Sequence, residues 1–145
     1  MSPEKSKILT ERYPRIFNPK GSVGEPFNYY GFECEDGWFD LLDVLCRKIQ
    51  NHVDHKITRI SDEEERENLQ LIAVQVKQKY STLRFYYSGG DEYTSGLVDM
   101  TESISGTICE TCGDKATVRT SGWMRNLCNS CHIRGKFKEK GFELK

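Results

Sequence analysis

The chain has 145 residues and a formal net charge of −1, with 30% charged and 37% hydrophobic residues, the size and balance of one domain with a small appendage. No apolar run approaches the ~20 residues of a membrane span, and the N-terminus Met1-Ser-Pro-Glu-Lys lacks a secretory core, so neither membrane insertion nor export is the default expectation and a cytoplasmic setting is expected. Charge is uneven: residues 1–108 carry 13 Lys/Arg against 18 Asp/Glu, and residues 109–145 carry 8 against 4, which points to two units with different neighbours.

Residues 1–26 hold Pro3, Pro14, Pro19 and Pro26 without sustained periodicity, and read as an extended arm with one short turn, tied down by Tyr13, Ile16 and Phe17. After Glu35-Asp36-Gly37, apolar residues Trp38, Leu41, Leu42, Leu45, Ile49 and Val53 recur at steps of three and four. That spacing predicts a helix over residues 38–55, capped by Asp36 or Gly37. Cys46 on this helix reads as a small buried hydrophobe. The run Asp62-Glu-Glu-Glu-Arg-Glu67 reads as a solvated loop or helix start, because nothing in it sets the ligand spacing of a hard-metal loop.

Alternation follows. Ile72, Val74 and Val76 share one side of a strand, and Leu83, Phe85 and Tyr87 one side of another, joined through residues 77–81. Tyr86, of opposite parity, is expected to face solvent or a ligand. Ser88-Gly-Gly-Asp91 breaks the sheet, and a second helix is expected over residues 92–105 with Tyr93, Leu97, Met100 and Ile104 turned inward.

The strongest chemical signal comes last. Cys109-Glu-Thr-Cys112-Gly113 and Cys128-Asn-Ser-Cys131 are two CxxC pairs separated by 15 residues, a spacing suited to a four-cysteine zinc site. Each turn aims two thiolates at one point, Gly113 allows backbone amides near the sulfurs, and four thiolates close a tetrahedron with no open position. Two disulfides are the weaker reading in a reducing compartment. Between the pairs, Thr117-Val-Arg-Thr120 and Trp123-Met-Arg125 can form a small hairpin around Ser121-Gly122, and residues 128–138 a short helix. A knuckle, a hairpin and such a helix make a treble-clef-like finger.

Within this stretch, Gly122-Trp-Met-Arg-Asn-Leu-Cys-Asn-Ser-Cys131 resembles GATA-type zinc fingers, over about 25 residues. The resemblance implies DNA contact by a helix and a basic tail, here Arg119, Arg125, Arg134, Lys136, Lys138 and Lys140; the spacing between pairs is shorter and the hairpin holds only two arginines. Over residues 30–131 the chain also resembles small uncharacterised proteins of bacteriophage and bacterial genomes, through Gly31-Phe-Glu-Cys-Glu-Asp-Gly-Trp38, Gln75-Val-Lys-Gln-Lys-Tyr-Ser-Thr-Leu-Arg-Phe-Tyr86 and the finger. That resemblance implies a phage or mobile-element setting within a bacterial host cell.

No nucleophile, base or open metal site declares itself. His132 reads as a solvated helix residue, His52 and His55 as helix-end cations, and Trp38 as a core anchor. Cys34 sits among Glu33, Glu35 and Asp36, the reverse of what activates a thiol. Tyr29, Tyr30, Phe32, Trp38, Phe39, Tyr80, Phe85, Tyr86 and Tyr87, interleaved with Lys77, Lys79 and Arg84, offer what base stacking and phosphate neutralisation require. The expected architecture is α+β: an arm (1–26), a core of helix, β-hairpin and second helix (27–108), and a treble-clef-like zinc finger with a basic tail (109–145). The expected function is non-enzymatic, with one structural Zn2+, binding nucleic acid or a host protein through Arg119, Arg125, Arg134 and Lys136, or through Tyr80, Arg84 and Tyr86. The alternative is a phage counter-defence protein that sequesters a nucleotide-type signal or inhibits a host enzyme.

Overall fold

A computed structural model describes residues 1–17, 27 and 31–139. The chain begins with two helices, α1 (Pro3–Arg12) and α2 (Pro14–Phe17), where the sequence suggested an extended arm. The prolines explain the difference. Pro3 and Pro14 each occupy the first turn, where the missing N–H costs nothing and the fixed φ suits the helix, and Ser2 caps α1 by accepting from the Lys5 amide. Tyr13, Ile16 and Phe17 are buried as expected, joined by Leu9.

Strand β1 (Phe32–Glu33) runs parallel to β2 (Ile72–Lys79), which pairs antiparallel with β3 (Thr82–Ser88). The long helix α3 (Phe39–Ile57) buries Leu42, Leu45, Cys46, Ile49 and Val53 on its inner face. Its start differs from expectation: Asp36–Trp38 form a 3-10 turn, and the Asp36 carboxylate accepts from the Ser2 amide at 2.6 Å rather than capping α3. Asp62 caps the short α4 (Glu63–Leu69), so the acidic run is a helix start.

Two facing assignments need correction. A bulge between Ala73 and Gln75 shifts the register of β2, so Ala73 and Val76 are buried while Val74 is exposed. Helix α5 (Glu92–Ser105) has the expected span but is turned on its axis. It buries Thr94, Val98, Thr101 and Ser105, leaving Tyr93, Met100 and Ile104 exposed. The cause is hydrogen bonding. β3 is an edge strand, and its Leu83 and Phe85 amides are taken up by Ser105 Oγ and Glu102 Oε1, both at 2.8 Å. Satisfying those donors outweighs burying three larger apolar side chains.

The hairpin joining β2 and β3 is tighter than the five residues expected. Tyr80 (φ 51°) and Ser81 (φ 71°) make a two-residue turn with both residues in the left-handed region, a place that Asn-Gly ordinarily fills. Each such residue costs about 1 kcal/mol or more.

At the start of α5, Asp91 accepts from the Thr94 amide (3.1 Å), from His52 Nε2 (2.8 Å) and from Lys56 Nζ (2.9 Å), and His52 stacks on Tyr93. Burial alone would raise the Asp91 carboxyl, but the bonds from Lys56, His52 and Thr94 hold it well below the usual carboxylate range. A lowered folded-state pKa stabilises the fold above the unfolded value, about 3.9, and that stabilisation is lost as pH falls through the folded value. Asp91→Asn keeps a competent cap but no charge. It is expected to cost about 1–2 kcal/mol at pH 7, and the gap between the urea midpoints of variant and parent should begin to narrow below about pH 4 and close only as pH falls through the folded-state value.

Candidate metal centre

Residues 109–139 fold around their cysteines. Cys109 and Cys112 lie in a knuckle closed by the Gly113 amide donating to the Cys109 carbonyl (2.9 Å) and the Cys109 amide donating to the Asp114 carbonyl (2.7 Å). Gly113 adopts φ 87°, which favours glycine; its amide serves the Cys109 carbonyl rather than a sulfur. The hairpin expected around Ser121-Gly122 is present, as β4 (Val118–Arg119) paired with β5 (Asn126–Leu127). Helix α6 (Asn129–Glu139) then starts between the second pair of cysteines.

The Sγ atoms of Cys109, Cys112, Cys128 and Cys131 lie within 4.8 Å of one another. A tetrahedron with metal–sulfur bonds of about 2.3 Å has edges of about 3.8 Å, and Cys112 and Cys128 are 3.6 Å apart. None of the four is joined in a disulfide, and their sulfurs lie close enough together to hold one metal ion. The Cys131 amide donates to Cys128 Sγ at 3.4 Å and is the main cause that lowers this thiol to about 7, whereas the Cys131 thiol is pushed up to about 11, chiefly by burial, and the Cys112 thiol is also raised. Among the described residues no other group of three or more Cys, His, Asp or Glu is placed to share an ion.

The finger is bolted to the rest of the fold by backbone and by charge. The Gly37 amide donates to the Glu110 carbonyl at 2.7 Å, and Trp38 Nε1 donates to the Ile108 carbonyl at 3.2 Å. Glu110 is buried; its Oε1 accepts from the Glu35 amide and its Oε2 from Arg125 Nε. Burial pushes the Glu110 carboxyl up against the pull of Arg125. Arg125 Nη2 also meets Glu35 Oε2 at 2.8 Å and Thr111 Oγ1 at 3.0 Å.

No protein-family model, curated protein or solved structure matches this chain.

The expected basic surface is therefore divided. Arg125 leaves it, because its guanidinium is committed to Glu35, Glu110 and Thr111. Arg119, Arg134 and Lys136 remain exposed; Lys138 and Lys140 lie outside the residues whose side chains are described, and Tyr29 and Tyr30 outside the described residues. In the second expected group, Arg84 is taken up by Thr82 Oγ1 (2.7 Å) and the Leu83 carbonyl (2.8 Å), with Glu102 at 3.9 Å. Tyr86 is exposed as expected, beneath Lys77 Nζ.

Tyr80 alone of that group opens into a cleft between the β2–β3 hairpin and the finger, about 530 Å3 in volume and lined by Lys77, Lys79, Tyr80, Trp123 and Met124 among others. Trp123 is 78% exposed, a part that sequence reasoning missed beyond its place in the small hairpin. A signal was there: an indole directly after the turn glycine Gly122 has little core within reach. The remaining candidates stay structural. His132 lies half-buried in the first turn of α6, Trp38 is fully buried, and Cys34 is buried with its thiol pushed up to about 12 chiefly by that burial. Among the described residues, no helix is long and apolar enough to cross a membrane.

Proposed function

We propose that this chain is a zinc-binding, non-enzymatic protein that binds nucleic acid. The four-thiolate cluster carries the zinc assignment. Soft sulfur donors at tetrahedral spacing suit Zn2+, and a closed set of four leaves no position for water or substrate, so the ion holds the fold and performs no reaction. Cys109, Cys112, Cys128 and Cys131 would hold it. The order of knuckle, hairpin and helix supports a treble-clef type of finger.

Nucleic acid is favoured over a protein partner by which side chains the finger leaves uncommitted. Arg119 from the hairpin and Arg134 and Lys136 from α6 are exposed, and Lys77 and Lys79 stand on the adjoining strand with Tyr86 and Tyr80 beneath them. Exposed cations beside aromatic rings are a phosphate-and-base surface. Elemental analysis should give one zinc per chain. Affinity for an oligonucleotide should fall with salt, and Arg134→Glu with Lys136→Glu should lower the logarithmic slope by about 1–2 with zinc retained. An unchanged slope would remove α6 from the interface.

A further inference from the structure

We propose that the cleft between the β2–β3 turn and the finger is a nucleobase-stacking site for single-stranded nucleic acid, with Tyr80 and Trp123 as its platforms and Lys77 and Lys79 as its phosphate partners. The inference rests on the nucleic-acid reading above and deepens it.

Two side chains that would ordinarily be buried are held out at the tips of two different turns. Tyr80 is 61% exposed and Trp123 78% exposed, and both line the same cleft. Their relative placement is fixed by hydrogen bonds across the junction: Gln78 Nε2 donates to the Met124 carbonyl, and Asn126 Nδ2 donates to the Ser81 carbonyl at 2.8 Å. The platforms are therefore preorganised, which reduces the ordering cost of binding.

The Tyr80 backbone adds an independent observation. A two-residue turn with both φ values positive selects for Asn and Gly, yet this one carries an aromatic ring at φ 51° that contributes little to the core. Strain retained at an exposed ring points to a use for the ring. The charges agree. Lys79 Nζ lies 5.5 Å from the Tyr80 ring centre, and Arg119 Nη2 touches Met124 Sδ at 3.5 Å. Of the two carboxylates lining the cleft, Glu110 is neutralised by Arg125, and Glu33 accepts from Gln75 Nε2 at 2.8 Å. The cleft's volume is in the usual range for ligand sites and has room for a flat base. In duplex DNA or RNA the base faces are already stacked and unavailable, so the ligand is single-stranded.

The test uses the zinc-loaded full chain, whose other tryptophan, Trp38, is buried. Single-stranded oligothymidylate should quench the exposed Trp123 emission, and a duplex of equal length should not. Trp123→Ala should weaken single-strand binding about ten- to a hundred-fold. Tyr80→Asn should weaken it about ten-fold or more while leaving the melting temperature equal to or above the parent's, because Asn suits the left-handed region. Both variants binding like the parent, with binding still sensitive to Arg134→Glu and Lys136→Glu, would overturn the cleft and leave the nucleic-acid reading standing. No binding of either form by the zinc-loaded parent would overturn both. Thymidine monophosphate binding as tightly as the oligomer would overturn the strand assignment in favour of a free nucleotide.

Discussion

Cys128→Ser, or chelation of the metal, is expected to unfold residues 109–139 while leaving the α/β core partly folded. The reason lies in the size of the finger's own core. Among the described residues its apolar core is Cys109, Leu127 and Cys128, with Cys131 packed against them, so bonds to a metal would stand where a larger domain has apolar side chains. Structural zinc in isolated fingers contributes about 10–16 kcal/mol at neutral pH, far more than one buried leucine can. The loss should appear as released amide protection across β4, β5 and α6, together with a zinc content near zero. Since the ligands bind as thiolates, the metal-loaded state should also weaken as pH falls. Full metal content and an unchanged circular dichroism spectrum in Cys128→Ser would sink the assignment.

Trp38→Ala is expected to cost about 3–5 kcal/mol, the largest effect of any substitution outside the cysteines. The indole is fully buried and among the largest side chains of the core, and its Nε1 holds the Ile108 carbonyl, so the variant leaves both a cavity and an orphaned acceptor. Gly37→Ala attacks the same junction differently. A Cβ at Gly37 would stand 2.1 Å from the Cys109 carbonyl oxygen and 2.5 Å from that of Glu110, backbone atoms that cannot swing aside. It should retain zinc yet separate finger from core, read as loss of protection at the Gly37 amide and raised mobility of Trp123 fluorescence. Denaturant midpoints for both variants near the parent's would show that this junction contributes little.

The elements visible in the sequence are those whose cause is local. The steps of three and four from Leu42 to Val53, and the two CxxC pairs, specify a helix and a metal cluster without reference to the rest of the chain. The misread features depend on distant partners. Tyr93, Met100 and Ile104 are more apolar than Thr94, Thr101 and Ser105, and only the unpaired edge of β3 explains why the smaller residues face inward. Arg125 sits in a segment that resembles a DNA-reading finger, but Glu35, ninety residues earlier in the chain, fixes its role. Pro3 and Pro14 show a third kind of failure: proline breaks helices and also begins them, and the choice turned on Ser2 and on the apolar residues behind.

The junction also sets a timetable for synthesis. Glu35 and Glu110 are 75 residues apart, which at translation speeds of ~5–20 residues per second is an interval of roughly 4–15 s. During it, the β2–β3 hairpin and α3 can form from neighbouring residues, while the Gly37 amide and the Trp38 indole wait for acceptors that the ribosome has not yet delivered. The newborn chain therefore reaches a nearly complete core with one wall missing, and with zinc bound as proposed that wall would close only when the fourth cysteine has emerged and found its ion.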